Sequence, residues 1–218
     1  MVLRFEDLTY ALGSAAQRRV TVSGSLNGGE VLAVRGPSGV GKTTLLRVLA
    51  RLQPALGGEV YLKGKSWRQV PGPAWRAAVH YLPQKPVLFD GTAGDNLAVP
   101  FRTRLLSRKK FDGELAAQIM EKLLLPPGLW SQDARTLSGG EAARLAFTRA
   151  LLTEPHVLLL DEPTAALDER AKSAFFQVLS AWLANRSDRA VLIVSHDHDY
   201  AGLGRVSYLD LAARREDE

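Results

Sequence analysis

Gly36-Pro37-Ser38-Gly39-Val40-Gly41-Lys42-Thr43, near the start of the chain, is the stretch that decides the fold. It matches the pattern G-x-x-x-x-G-K-[ST] of a loop that cradles phosphates. The apolar run at 31–34 before it predicts a strand, and the apolar periodicity of 44–50 after it predicts a helix. Because the pattern requires a strand, a loop and a helix in this order, the sequence predicts nucleotide binding.

Each residue type in this loop has a physical reason. Glycines let successive backbone N–H groups turn towards phosphate oxygens, and the start of the following helix adds the positive end of its dipole. Lys42 supplies a charge for the β- and γ-phosphates, and Thr43 offers a hydroxyl to Mg²⁺. The predicted nucleotide contacts here are Gly36, Pro37, Ser38, Gly39, Val40, Gly41, Lys42, Thr43 and Thr44.

Length and composition restrict the class of protein. The 218 residues, 46% hydrophobic and 23% charged, are typical of a globular protein that buries a sizeable core. The absence of cysteine excludes a cysteine nucleophile, an iron–sulfur cluster and cysteine-based zinc sites. No apolar stretch reaches the roughly 18 residues of a membrane span, and the first residues do not resemble a signal peptide. We therefore expect a soluble, cytoplasmic protein.

The net charge of +5 is concentrated in one segment, at Arg102, Arg104, Arg108, Lys109 and Lys110. Such a cluster is either a solvated face or a contact for anionic lipid or an acidic partner. Few aromatic residues interleave these cations, so the pattern disfavours a nucleic-acid groove and no nucleic-acid partner is expected.

The order of predicted elements indicates the fold class. Continuous apolar strands between helices imply a parallel sheet covered on both faces. The helical pattern of 86–152 interrupts the strands and suggests an inserted subdomain, and 212–218 is expected to be a frayed tail. Strands are predicted at 3–8, 20–26, 31–34, 58–63, 79–82, 157–160 and 190–194, and helices at 44–50, 114–125, 140–152 and 168–185.

Polar residues follow two of the predicted strands. Asp161 ends the apolar strand at 157–160, where open α/β sheets bind ligands, and it could hold Mg²⁺ directly or through water. Glu162 could accept a proton from an attacking water, although both carboxylates could instead cap the next turn. His196 follows the strand at 190–194 and could donate a hydrogen bond to the γ-phosphate.

Taken in order along the chain, these motifs resemble the ATP-binding-cassette (ABC) ATPase domain. The resemblance covers nearly the whole chain, and Ser138 precedes Asp161 by 23 residues, just ahead of a predicted helix. The further segments that carry it are Gln84, Leu137-Ser138-Gly139-Gly140-Glu141 (the signature), Asp161-Glu162, Ala165-Ala166-Leu167-Asp168 and His196.

The resemblance implies an α/β fold with a P-loop NTPase core. Its parts are a mostly parallel sheet, an antiparallel β subdomain on the N-terminal side and an inserted helical subdomain that carries the signature. It implies one domain over 1–218. The core with its β subdomain occupies about 1–85 and 154–218, and the helical subdomain about 86–153.

The resemblance also implies that the site is shared between two copies of the chain. Ser138, Gly139 and Gly140 of one copy, with Glu141 beside them, would close over the ATP held by the other. A hydroxyl, two small residues and a helix N-terminus form a suitable anion-binding nest. Asp168 would contact the opposite copy, and ATP would hold the two together until hydrolysis released them.

For the chemistry, the resemblance implies Glu162 as the general base and Lys42 as a stabilising charge. Gln84 would contact Mg²⁺ or the attacking water and report to a membrane partner. The implied Mg²⁺ ligands are Thr43, Gln84 and Asp161, so the expected cofactors are ATP and Mg²⁺.

A finer resemblance concerns the residues after Gln84. The segments 84–92 and 95–101, with 196–199, resemble the small ATP-binding subunits of the FetA type, which work with a separate FetB-like permease in iron export. The expected partner is therefore a separate permease, touched by 86–89, with the chain held on the inner face of the cell membrane. A non-transport ABC ATPase, acting as a regulatory or assembly module, is the alternative.

Three residues depart from the family pattern. Glu141 stands where glutamine is usual, and we expect this change to be tolerated. Ala165 replaces a serine of the interface loop, which reduces the hydrogen bonding between copies. The adenine-stacking aromatic falls at Leu12, with Tyr10 two residues earlier, so base stacking is expected to be weaker if Leu12 takes that place.

Overall fold

The fold is seen in a computed structural model that describes residues 1–13, 18–195 and 199–211. The strands are β1 (Leu3–Leu12), β2 (Arg18–Leu26), β3 (Glu30–Arg35), β4 (Gly57–Leu62), β5 (Lys65–Ser66), β6 (Val79–Leu82), β7 (Val157–Asp161), β8 (Ala190–Val194) and β9 (Arg205–Asp210). The α-helices are α1 (Lys42–Leu49), α2 (Gly72–Ala78), α3 (Ala93–Ala98), α4 (Gly113–Lys122), α5 (Gly139–Leu152) and α6 (Glu169–Ala184). Short 3₁₀ turns cover Trp67–Gln69, Val99–Arg102, Pro127–Ser131, Ala134–Thr136 and Asp199–Gly202.

The centre of the molecule is a parallel sheet with the strand order β6-β7-β8-β3-β9. Its register pairs Leu160 of β7 with Leu82 of β6 and with Ile193 of β8. The strands therefore end at one common edge, where Asp161 is the last residue of the fully buried β7. The predicted parallel sheet is confirmed.

Both faces of this sheet are covered, because alternate side chains of a strand point to opposite faces. On one face, Leu32, Leu159 and Leu192 pack in a cluster with α1 and the antiparallel sheet. On the other face, residues such as Leu158 and Ile193 pack against α5 and α6. Burial on both faces explains why β7 and β8 are unbroken apolar runs.

The N-terminal strands form the second sheet, which is antiparallel in the order β2-β1-β4-β5. The register of β1 shifts between Phe5 and Leu8, and Asp7 at this irregularity has a φ of 46°. Phe5, Leu8 and Tyr10 of β1 are fully buried in the cluster that also contains α1. This sheet therefore lies over the loop and helix that follow β3, and it confirms the expected antiparallel part of the fold.

The residues between β6 and β7 form a helical layer with a hydrophobic cluster of its own. Leu97 of α3, Met120 of α4 and Leu145 of α5 belong to this cluster. The ring of Phe111 lies 5.5 Å from that of Phe101 and 6.3 Å from that of Trp130, which closes the cluster at its edge. The layer holds α5, and with it the signature residues at the start of α5.

The strand β9 and the helix α2 are among the elements that lack a clear signal in the sequence. The strand β9 pairs with β3 at the sheet edge, and most of its residues are exposed, so it has no continuous apolar run. The helix α2 is only seven residues long, and its place is fixed by the buried Trp75, whose Nε1 donates to the carbonyl oxygen of Leu49 at 2.7 Å. The expected frayed tail at 212–218 lies outside the described residues.

The two sheets meet at the turn between β2 and β3. Gly29 donates its N–H to the carbonyl oxygen of Arg189 at 2.8 Å, and Lys63 is paired with Asp188 at 2.9 Å. A Cβ atom on Gly28 would overlap the carbonyl oxygen of Ser187. The close approach of these two backbones therefore requires a residue without a side chain at position 28.

Gly28→Ala should lower the free energy of unfolding by about 1–3 kcal/mol, because backbone atoms must move to make room for the methyl group. Thermal unfolding followed by circular dichroism would detect this as a melting temperature several degrees lower, on the order of 2–4 °C per kcal/mol. The matched control is Gly128→Ala, since a Cβ there meets no atom within 4 Å. Equal melting temperatures for the two variants would contradict the close packing of the sheets.

Candidate nucleotide-binding and catalytic site

The predicted phosphate loop connects β3 to α1 and is shaped by glycines at tight positions. Gly36 has a φ of 143°, and a Cβ there would lie 2.6 Å from the carbonyl oxygen of Leu211. Gly41 has a φ of 106°, and a Cβ there would lie 2.7 Å from Cδ2 of Leu12. The backbone turns here can therefore be made only by residues without side chains, as the motif predicts.

The ammonium group of Lys42 lies over the loop rather than away from it. Its Nζ donates to the carbonyl oxygens of Gly36, at 2.7 Å, and Pro37, at 3.1 Å. A cavity of about 270 Å³ opens at this point, at the helix N-terminus, where phosphate would meet both the charge and the backbone N–H groups. It is lined by Leu12, Gly13, Ser38, Gly39, Gly41, Lys42, Thr43, Thr44, Glu162 and Val194.

Of the two candidates for the adenine contact, Leu12 is the one that lines this cavity. Tyr10 is fully buried behind the loop, and its hydroxyl donates to the carbonyl oxygen of Gly41 at 3.3 Å. Burial raises the pKa of the Tyr10 phenol, which therefore stays protonated as a donor. Tyr10 therefore supports the loop from the protein interior, while the aliphatic side chain of Leu12 faces the opening.

The carboxylate of Asp161 is buried at the end of β7 and accepts two hydrogen bonds. The hydroxyl of Thr43 donates to Oδ1 at 3.0 Å, and the phenol of Tyr81 donates to Oδ2 at 2.9 Å. The loop, β6 and β7 therefore meet at this one side chain. Sequence reasoning missed Tyr81, although its position in β6, three residues before Gln84, placed it near this edge.

Glu162 lies next to Asp161 with a different backbone geometry. Its φ of 47° is in the left-handed region, and its N–H donates to the carbonyl oxygen of Val194 at 2.8 Å. Gln84 donates from Nε2 to Oε2 of Glu162 at 2.7 Å. Two residues that the sequence assigned separately to the attacking water are thus in direct contact.

Oxygen atoms dominate the donor set around Asp161. The hydroxyl of Thr43, the carboxylate of Asp161 and the carboxamide of Gln84 offer oxygen atoms, which suit Mg²⁺ better than they suit softer metals. All three residues lie at the carboxyl edge of the parallel sheet, beside the loop. The residues present therefore fit Mg²⁺.

The signature forms the start of α5 as a capping box. The hydroxyl of Ser138 accepts from the N–H of Glu141 at 3.3 Å, and the Glu141 carboxylate accepts from the Ser138 N–H at 2.8 Å. The same carboxylate accepts the Ser138 hydroxyl proton at 2.7 Å. These hydrogen bonds lower the pKa of Glu141, so the start of α5 carries a negative charge bonded directly to the serine.

The small residues of the signature pack against the loop before α6. A Cβ on Gly140 would lie 2.9 Å from the carbonyl oxygen of Ala166, and one on Gly139 would lie 3.7 Å from Cβ of Ala166. Asp168 caps α6, because its Oδ1 accepts from the N–H of Ala171 at 2.8 Å. The signature and the 165–168 loop thus form one surface, and none of 138–141 lines the cavity over the phosphate loop.

A second cavity, of about 580 Å³, lies on the other side of Asp161 and leads to the segment after Gln84. Arg149 of α5 lines it and donates to the carbonyl oxygen of Val87 at 2.6 Å and to Asn96 at 3.3 Å. Its guanidinium also lies 5.1 Å from the ring of Phe89. Val87 is 60% exposed and Phe89 46% exposed, so α5 holds an open apolar loop in place.

His196, the remaining predicted catalytic residue, lies outside the described residues, which end at Ser195 before the gap. The basic segment is at the surface, where Arg102 pairs with Asp95 and Lys109 with Glu154. Among 1–13, 18–195 and 199–211, none of the helices is both long enough and apolar enough to cross a bilayer.

The family model described as ABC transporter matches residues 20–165. The "Probable iron export ATP-binding protein FetA" of Escherichia coli is 33% identical over 198 residues, which cover 91% of this chain and 86% of the relative. The "Sulfate/thiosulfate import ATP-binding protein CysA" of Bordetella pertussis is 37% identical over 186 residues. These cover 83% of this chain but only 51% of that relative.

Two solved structures of the ATP-binding cassette MJ0796 resemble the fold, with TM-scores of 0.80 and 0.79. Both are dimeric and 25% identical in sequence, and one is a post-hydrolysis state bound to ADP and Pi. They cover 95% and 96% of this chain, which in turn covers 94% and 96% of theirs. The family model, the relatives and the fold agree, so the chain belongs to the ABC transporter family and forms an ATPase domain of the kind found in that family.

Proposed function

We propose that this ABC ATPase binds Mg²⁺ and ATP between two copies of the chain and uses hydrolysis to drive a separate membrane permease. The observation that carries the proposal is the meeting of the phosphate loop, Asp161, Glu162 and Gln84 at one sheet edge. A division into a nucleotide-binding core, about 1–85 and 154–218, and a helical signature subdomain, about 86–153, is part of the proposal.

In the proposed site, the β- and γ-phosphates replace the carbonyl oxygens of Gly36 and Pro37 as partners of Lys42. These carbonyl bonds hold the ammonium at the loop, which reduces the cost of ordering its side chain on phosphate binding. Leu12 covers the adenine, and its aliphatic side chain gives weaker stacking than an aromatic ring. Thr43, Gln84 and Asp161 would hold Mg²⁺, which when bound neutralises charge on the phosphoryl oxygens.

Glu162 is the proposed general base. The hydrogen bond from Gln84 orients the carboxylate of Glu162, which would accept a proton from water placed in line with the γ-phosphate. The left-handed backbone at Glu162 directs this side chain differently from that of Asp161, so the two carboxylates serve separate purposes. His196 is proposed to donate a hydrogen bond to the γ-phosphate.

The second copy supplies the other wall of the site. Ser138, Gly139 and Gly140 cannot reach the cavity of their own chain, since that cavity is lined by other residues. A dimer in which the signature of each copy covers the ATP of the other completes both sites, with Asp168 at the contact. The dimeric MJ0796 cassettes support this arrangement.

The proposed permease contact is the exposed apolar loop at 86–89. Arg149 connects this loop to α5, at whose other end the signature lies, so a permease that moves the loop would also move the signature. Export of a metal, as the name of the FetA relative suggests, is the finer form of this proposal. A neighbouring reading frame for a FetB-like membrane protein would support export, and one for a solute-binding protein would support import.

Glu162→Gln should retain ATP binding but slow hydrolysis by at least about 10²-fold, because general-base catalysis contributes on this scale. ATP should then trap a dimer that size-exclusion chromatography separates from the monomer. The matched control is Glu154→Gln, since Glu154 is paired with Lys109 away from the site. Full turnover by Glu162→Gln would remove Glu162 from the role of base.

Glu141→Gln should strengthen ATP-driven pairing of the chains. A neutral amide keeps the capping box but removes a negative charge that competes with phosphate for the Ser138 hydroxyl. The ATP concentration that gives half-maximal dimer in the Glu162→Gln background should fall about threefold or more, which corresponds to about 0.7 kcal/mol of lost repulsion. An unchanged or higher concentration would show that the carboxylate does not oppose pairing.

Val87→Asp should release the chain from membranes of its own cells without changing ATP binding by the purified protein. The carboxylate would place a charge in an apolar contact, which is costly when the contact excludes water. Membrane and soluble fractions would be compared by immunoblotting, with Leu124, an apolar residue of another segment that is also exposed, changed to Asp as control. A wild-type chain found only in the soluble fraction, bound to nucleic acid or ribosomes, would favour the alternative of a non-transport module.

A further inference from the structure

Tyr81 is the residue at the site that the proposed roles leave unexplained. Its phenol donates to Oδ2 of the buried Asp161 at 2.9 Å, while Thr43 holds Oδ1 at 3.0 Å. Asp161 is only 3% exposed, so its carboxylate has little access to water as a replacement partner. A buried carboxylate oxygen without a donor is costly, which makes the Tyr81 hydroxyl an essential partner.

The strand register explains how Tyr81 reaches this oxygen. In β6, Tyr81 pairs with Leu159 of β7, two residues before Asp161. Gln84, three residues after Tyr81, donates to Glu162. One short segment, from the end of β6 to the loop that follows, therefore holds both carboxylates that end β7.

The surroundings of Tyr81 keep it a donor. Burial raises its pKa to about 12, and the negative charge of Asp161 acts in the same direction, while a hydrogen bond with Arg47 acts in the opposite direction. The phenol is therefore protonated at neutral pH. A carboxylate can only accept, so the direction of the bond is fixed from Tyr81 to Asp161.

We propose that Tyr81 is a positioning residue for Mg²⁺: by holding Oδ2 of Asp161, it directs Oδ1 towards Thr43 and the metal. This inference rests on the proposed Mg²⁺ site of Thr43, Gln84 and Asp161. Groups that orient a metal ligand from outside typically change metal affinity by about 10–100-fold when removed. Tyr81 also lies in the cavity that leads to Val87, so a shift of the loop after Gln84 would reach Asp161 through it.

The test is the factor by which saturating Mg²⁺ tightens binding of a fluorescent, non-hydrolysable ATP analogue to the purified chain. With Tyr81→Phe, this factor should fall about tenfold, while the affinity measured in EDTA stays within twofold of wild type. The matched control is Tyr61→Phe, since the ring of Tyr61 lies under Arg4, in the antiparallel sheet. An unchanged factor in Tyr81→Phe would overturn the inference.

A second measurement separates positioning from damage to the fold. In ATPase assays, Tyr81→Phe should need about tenfold more Mg²⁺ for half-maximal rate and should approach the wild-type kcat at saturating Mg²⁺. A kcat that is reduced equally at all Mg²⁺ concentrations, with a lower melting temperature, would show a merely structural role and overturn the inference. If wild type itself showed no tightening by Mg²⁺, the proposed metal site would fail, and this outcome is distinct from a failure of Tyr81 alone.

Discussion

The buried carboxylate of Asp161 is the constraint on which the rest of the site depends. A charge at this depth must be compensated by donors, because water cannot reach it freely. The hydroxyls of Thr43 and Tyr81 provide them, and these belong to the start of α1 and to β6. The need to hydrogen-bond this one carboxylate therefore fixes the phosphate loop, β6 and β7 relative to one another.

The position of this carboxylate follows from the covered sheet. Helices and the antiparallel sheet pack over both faces, so polar chemistry is possible only where the strands end. The same covering explains why the signature is on a different surface, with α5 packed on the far face and its first turn at the outside. In the proposed dimer, one chain thus presents two separate halves of a phosphate site.

Local motifs made much of the fold and of the candidate site predictable from the sequence. The phosphate loop, the pair Asp161-Glu162 and the signature are short segments whose residue types indicate phosphate or metal binding. Unbroken apolar runs identified β7 and β8 as buried strands. The bonds from Tyr81 and Arg149 could not be predicted, because they join residues 80 and 62 positions away in sequence. Tyr10 and Leu12 lie on the same side of β1 and both approach Gly41, so only the burial of Tyr10 and the lining of the cavity show that Leu12 reaches the opening.

The carboxylate of Glu141 gives the signature a property that a glutamine would not have. If two copies meet over ATP, each signature brings a negative charge towards the phosphates of the other, and like charges then oppose the contact that the nucleotide promotes. Dissolved salt screens the repulsion between exposed charges, and the screening length is about 10 Å at an ionic strength of 0.1 M. A higher ionic strength around the protein would therefore make it easier for the two copies to pair over ATP.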